Sequence, residues 1–273
     1  MRVIDVSGGA PGWLTAPGRP GRELAFELPV PALHGTARDA GASIGIRAWS
    51  PHGAADDESL PLLLVHDGPE YDRQASLTRY LSAGVAGRWL PRLRAALLSL
   101  GPRDRWYSAD PGYARALRLT VLPALASRLA VSARIGMGAS LGGLAMLHAH
   151  CREPDAFDAL FLQSGSFFCP RFDSQERGFR YYRRVTRFVV GVHSGRLPDR
   201  RIPVVLTCGA QEENVHNNRL MASALRARDY PAELHEGPGL HNFTAWRDAL
   251  DPPLTRLLRQ LASCAGACPG AGR

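Results

Sequence analysis

From Leu60 onward the chain alternates short apolar runs with longer stretches of helical period, and this rhythm restricts the fold more than any single motif. Leu60 to Val65 is continuously apolar and stops at His66-Asp67-Gly68-Pro69, the form of a strand buried on both faces and ending in a loop. The pattern then predicts helices over 74–90, 112–129, 141–151 and 215–228, and a last helix over 243–261 bent at Pro252-Pro253. Strands are expected over 93–100, 133–137, 159–163, 202–208 and 232–235. Alternation of this kind gives an α/β fold: a mostly parallel sheet with helices on both faces. Before it, Glu23 to Leu28 and Ser43 to Trp49 alternate residue by residue, which predicts an antiparallel N-terminal edge. Residues just past the carboxyl ends of such strands converge on a site.

A chain of 273 residues is long enough for one large core, and a single domain over 23–262 is expected. Residues 1–22, rich in Gly and Pro, read as a loose leader, and 263–273 as a disordered tail. Residues 167–199 break the rhythm with a basic aromatic helix and read as a cap over the site or as a surface excursion without a functional role. Apolar runs fall short of the roughly 20 residues that cross a bilayer. The start has no secretory pattern, and five cysteines without paired spacing suit reduced thiols. A cytoplasmic protein away from membranes is the expectation. Cys264 and Cys268 have no second ligand pair, so a metal site is not expected. All 33 basic residues are arginine and the net charge is +8, spread widely, with no concentrated stripe of the kind nucleic acid requires. The densest cluster, Arg180 to Arg187, suits a solvated helix face or an anion-attracting cap.

Ser140 lies in Gly138-Ala139-Ser140-Leu141-Gly142-Gly143, between a strand-like run and an Ala/Leu-rich helix. That context makes it a candidate nucleophile elbow, where a sharp turn exposes the hydroxyl to a base on one side and substrate on the other. The five-letter pattern alone is weak, with about 0.2 chance matches expected in such a chain. A decoy is present: Gly41-Ala42-Ser43-Ile44-Gly45 has the same letters but lies in a strand pattern with no helix after it.

A nucleophile at Ser140 calls for an acid and then a histidine later in the chain. The strand ending at Cys208 runs into Gly209-Ala210-Gln211-Glu212-Glu213, and the last strand into Gly237-Pro238-Gly239-Leu240-His241. His241 is the candidate base, favoured over His235 within the strand and His216 at a helix start. Glu212 and Glu213 both follow the strand, and only one can face the imidazole. An oxyanion hole would take the Leu141 N–H and a second donor after Val65, where Pro69 has none to give, leaving Gly68, Glu70 or Tyr71.

The set His66-Asp67-Gly68-Pro69-Glu70-Tyr71, Arg105-Trp106-Tyr107-Ser108-Ala109, the Ser140 motif, Gln163-Ser164-Gly165-Ser166-Phe167-Phe168, Gly209-x-x-Glu212 and His241-Asn242-x-x-x-Trp246-Arg247 resembles the esterase D-like group of α/β hydrolases. Its enterochelin-esterase-like members are the nearest in pattern. The resemblance runs from about Leu60 to Leu261 and implies an α/β-hydrolase fold with Ser140, His241 and Glu212 as the triad. It also implies a small-molecule ester substrate, an acyl-enzyme and no metal or cofactor. Tyr71, Arg105 and Tyr107, inside the matching motifs, are the expected substrate contacts, and Gly68 or Glu70 the second oxyanion donor. Relatives often have a free N–H directly after that glycine, so Pro69 is a departure. The group spans siderophore trilactone esterases, S-formylglutathione hydrolases, carbohydrate-ester esterases and mycolyl transferases, so the analogy stops at acyl transfer. Arg103, Arg105 and the Arg180 to Arg187 cluster would suit an anionic ester such as a ferric siderophore, or serve as surface charge. Acyl transfer to an alcohol or sugar, and a non-catalytic ligand-binding relative, are the alternative functions.

Overall fold

The structure is a computed structural model that describes residues 10–29, 43–99 and 101–266. Residues 1–9, 30–42, 100 and 267–273 lie outside it, and with them the start of the leader, Gly41 and Ala42 of the decoy motif, Cys268 and most of the expected tail.

Eight strands form one sheet: β1 (Arg22–Pro29), β2 (Ser43–Ser50), β3 (Leu60–Val65), β4 (Arg94–Leu98), β5 (Val131–Ala139), β6 (Ala159–Gln163), β7 (Val204–Gly209) and β8 (Ala232–Gly237). Their order is β1-β2-β4-β3-β5-β6-β7-β8. The β1–β2 and β2–β4 pairs are antiparallel, and every pair from β4 to β8 is parallel. This is the α/β-hydrolase arrangement. Ser43, the decoy serine, opens β2 opposite Pro29. Ser43→Ala is accordingly expected to change esterase turnover less than about twofold in a p-nitrophenyl ester assay, since its hydroxyl bonds to Glu27 of β1, at 3.3 Å, and to none of the candidate site residues.

The strand from Leu60 to Val65 is buried at every position, because it sits mid-sheet with helices above and below. Its side chains divide by parity, Leu62 and Leu64 into one apolar cluster and Leu63 and Val65 into the other. Full burial of each leucine contributes about 2 kcal/mol. The first cluster is covered by α3 (Arg103–Tyr107), α4 (Pro111–Ala116), α5 (Leu122–Ala126), α6 (Leu141–Arg152), α7 (Tyr182–His193) and α8 (Val215–Arg226). The second lies under α1 (Gly68–Ala75), α2 (Leu77–Ala86), α9 (Phe243–Asp248) and α10 (Pro253–Gly266).

Three expected helices differ from their forecast, each for a local reason. The helix over 74–90 is two, because α1 starts at Gly68 with Pro69 in its first turn, and the chain breaks at Ser76 in a left-handed conformation (φ 53°). Asp72 Oδ1 accepts from the Thr78 N–H at 3.0 Å and so tethers the start of α2. The helix over 112–129 passes through a π turn, Leu117–Val121, just before Pro123. The last helix is broken into α9 and α10 at Pro252-Pro253, where neither residue has an N–H to continue the ladder.

From residue 10 the leader packs on the body: Trp13 is buried with its ring edge-on to Tyr80 at 5.2 Å. The segment expected as a cap divides in two. Its helix α7 makes the crossover from β6 to β7 and buries Val185, Val189 and Val192 in the same core as α6 and α8.

Candidate active site

The chain turns from β5 into α6 at Ser140 with φ 56° and ψ −126°, a conformation a serine adopts only when its surroundings enforce it. Close packing explains the glycine before it: a Cβ on Gly138 would fall 2.5 Å from the Gly142 carbonyl carbon. The turn leaves Ser140 half-buried. Its N–H donates to the Gln163 carbonyl at 2.9 Å. As N1 of α6, Leu141 carries an N–H with no acceptor inside the helix, on the residue next to the hydroxyl.

Glu212 follows β7 and is buried, while Glu213 beside it is exposed. Oε1 of Glu212 accepts from the Gly209 N–H and the Ser164 hydroxyl, both at 2.8 Å. Oε2 lies 2.9 Å from Nδ1 of His241. Burial pushes the Glu212 pKa upward, but the bonds from His241, Gly209 and Ser164 outweigh it and hold the carboxyl below its ordinary value. An ionised acceptor at Nδ1 fixes the imidazole tautomer with its Nε2 lone pair outward. The ring is edge-on to Trp246 at 5.2 Å, and the Trp246 indole N–H donates to Ser164 Oγ at 3.0 Å. His235 pairs with Glu233 and His216 packs on Phe172, so neither shares this arrangement.

Among the described residues no hydrogen bond joins His241 to Ser140. The Ser140 hydroxyl instead lies 3.0 Å from Ser166 Oγ, and the Ser166 N–H donates to the Ser140 carbonyl at 3.1 Å. Sequence reasoning quoted the Gln163 to Phe168 motif without giving these residues work. The structure makes the loop after β6 a brace: Asn218 on α8 accepts from the Gly165 N–H (3.0 Å) and donates to the Gly165 carbonyl (3.1 Å), and Asn214 donates to the Ser164 carbonyl (2.9 Å). Asn218→Leu strips partners from two buried backbone groups at once. It is expected to lower unfolding free energy by about 2–4 kcal/mol in urea titrations.

The loop after β3 lies against the elbow. His66 is fully buried, and burial pushes its pKa down to about 3. The neutral ring donates Nδ1–H to the Gly142 carbonyl (3.0 Å) and accepts at Nε2 from the Tyr113 hydroxyl (2.9 Å). Asp67 beside it takes a bidentate grip from Arg103, with contacts of 3.0 to 3.2 Å. Arg103 is therefore occupied in bracing this loop.

Of the three oxyanion candidates in this loop, Tyr71 is removed, because its N–H donates to the Asp67 carbonyl at 2.9 Å. Gly68 and Glu70 remain, both in the first turn of α1, where N–H groups have no intrahelical acceptor. Two expected substrate contacts are corrected. Tyr71 is fully buried with its hydroxyl on Gln163 Oε1 (2.9 Å), and Tyr107 is buried, stacked on the His66 ring at 4.3 Å. The early start of α1 turns Tyr71 into the core. Arg105 is half-buried on α3, and its carbonyl accepts from Arg184.

Residues 39–257 match the profile of the family described as "Putative esterase". The chain belongs to this esterase family. Among solved structures, the chain is similar to the enterochelin esterase from Shigella flexneri (TM-score 0.73, 20% identity, 93% of this chain and 63% of that one). It is equally similar to the ferric enterobactin esterase from Salmonella typhimurium (TM-score 0.73, 20% identity, 93% and 62%). The feruloyl esterase module from Clostridium thermocellum aligns over 93% of both chains (TM-score 0.67, 14% identity). The esterase thus spans about three-fifths of the length of the enterobactin esterases it matches. No curated protein matches its sequence. Among the described residues no helix is long and apolar enough to cross a membrane.

Proposed function

We propose that the esterase hydrolyses a small-molecule carboxylic ester through an acyl-enzyme on Ser140, with His241 as the base and Glu212 as its orienting acid. The observation that carries this reading is the His241–Glu212 pair at 2.9 Å, with Glu212 bonded on its other oxygen to the loop that touches the elbow. A paired acid, an imidazole with one nitrogen free, and a half-buried serine on a strained turn are what nucleophilic acyl transfer needs.

His241 Nε2 takes the proton of Ser140 as Oγ bonds to the ester carbonyl carbon. The tetrahedral oxyanion is met by the Leu141 N–H and by the first-turn donors of α1, Gly68 or Glu70. Collapse breaks the ester C–O bond, and His241 returns the proton to the departing alcohol. Water then enters, gives a proton to His241 and attacks the acyl carbon; the C–Oγ bond breaks, His241 returns the proton to Ser140 Oγ and the acid leaves. Glu212 stays ionised throughout and stabilises the imidazolium. For the first step Ser140 Oγ must leave Ser166 and meet His241, a contact that often closes only when substrate is bound.

Labelling with a fluorophosphonate, followed by peptide mapping, tests the assignment. Modification is expected on Ser140, and labelling at another residue, or none under conditions where the enzyme turns over, overturns it. Product analysis with candidate alcohols present separates hydrolysis from transfer.

A further inference from the structure

A groove lies on the first face of the sheet, along α6 and α7 and away from the elbow. Residues 184, 187, 188 and 191 of α7 share one helical face by their spacing, and so do 148 and 152 of α6. Those two faces, with Ala109, Pro111, Arg196 and Pro198, line a cavity of about 750 Å³. The rise of α6 puts this lining roughly 12–18 Å along the helix from Ser140.

The lining is unusually cationic. Arg184 holds one wall in place, donating to Asp110 (2.8 Å) and to the carbonyls of Ser108 and Arg105. Arg152, Arg187 and Arg196 have no ion pair among the described residues. Arg196 lies flat on α7 because residue 191 is glycine, whose Cβ, if present, would sit 3.0 Å from the Arg196 Nε. His148 is 6% exposed, lines the cavity and has no hydrogen bond among the described residues. Burial first, then Arg152 and Arg184, push its pKa down to about 4 against the pull of Asp110, so the ring is neutral. A buried, unpartnered imidazole offers a ligand one donor or acceptor. Phe188 stands edge-on to that ring at 5.0 Å and supplies an apolar wall.

We propose that this groove binds a small organic phosphate, with its phosphate oxygens on Arg152, Arg187 and Arg196 and an aromatic or apolar part against Phe188. Planar guanidinium forks match phosphate oxygens in pairs, and several of them around one pocket select for a multiply charged anion. The site is separate from the hydrolytic centre, so its test does not depend on ester turnover.

Calorimetric titration of the full chain with pyrophosphate, 1-naphthyl phosphate and citrate tests it. Saturable binding of both phosphates below about 5 mM is expected, with naphthyl phosphate the tighter against its unstacked counterpart Phe188→Ala. The double variant Arg187→Gln/Arg196→Gln should weaken both phosphates about tenfold or more. Arg88→Gln/Arg256→Gln, which removes the same charge from the other face, should change them less than about twofold. Equal weakening by the two double variants reduces the effect to diffuse charge and overturns the site. So does citrate binding as tightly as pyrophosphate, or no saturable phosphate binding to the parent protein. The thermal unfolding transition of the Arg187→Gln/Arg196→Gln variant, followed by circular dichroism, should match the parent and thereby report an intact fold.

Discussion

Ser140→Ala is expected to lower kcat/KM for a short p-nitrophenyl ester by about 10⁴-fold or more, leaving the thermal unfolding transition in place. The size follows from what the hydroxyl does: without it no acyl-enzyme forms, and what remains is whatever the oxyanion donors contribute to direct attack by water. The fold should survive because, among the described residues, the Ser140 side chain makes one hydrogen bond, to Ser166 Oγ. The turn itself is held by backbone bonds, from the Ser140 N–H to Gln163 and from Ser166, Gly143 and Leu144 to the Ser140 carbonyl. Steady-state kinetics with circular dichroism on the same preparation separates the two effects. A variant that keeps more than a tenth of parental turnover would remove Ser140 from the chemistry.

Glu212→Gln is expected to reduce kcat by about 10³–10⁴-fold, while Glu213→Gln changes it less than about threefold. The two side chains are adjacent in sequence and opposite in circumstance. Glu213 is exposed. Glu212 is buried between the Gly209 N–H, the Ser164 hydroxyl and His241 Nδ1. An amide at 212 keeps one oxygen for Gly209 and Ser164 but turns an NH₂ toward the imidazole, which favours the tautomer with its proton on Nε2. That proton faces the serine, and the ring can no longer accept one there. Comparable losses in both variants would leave the acid unassigned, and a larger loss in Glu213→Gln would reverse the assignment.

Much of this was readable before any coordinates, and the parts that were not share a cause. Strand β3 and helices α6 and α8 follow from periodicity, since a mid-sheet strand is apolar at every position and a helix must bury a recurring face. The loops that carry Ser140 and His241 follow from the rule that strand carboxyl ends gather the chemistry. Between Glu212 and Glu213 the strand pattern is silent, and only the resemblance, through Gly209-x-x-Glu212, points to the residue whose carboxylate is buried against His241. Tyr71 and Tyr107 were expected as contacts because they lie inside the motifs that carry the family resemblance. Their burial depends on α1 beginning at Gly68 and on the stack of His66 with Tyr107, both tertiary facts. The bracing of the β6 loop by Asn218 joins residues 53 positions apart, a separation beyond any local pattern. Arg103 and Arg184 read in sequence as attracting an anionic ester or as surface charge, and each pairs with a carboxylate within the fold.

An open sheet has two margins, and both of these carry acid. The outer strand β1 presents Glu23 and Glu27, and β8 at the opposite end presents Glu233 and Glu236. Glu23 and Glu236 are paired with Arg47 and Arg219, whereas Glu27 and Glu233 have no arginine partner among the described residues. A second chain extending the ladder at either margin would meet one of these two carboxylates, which weakens such pairing where the partner strand also carries acid.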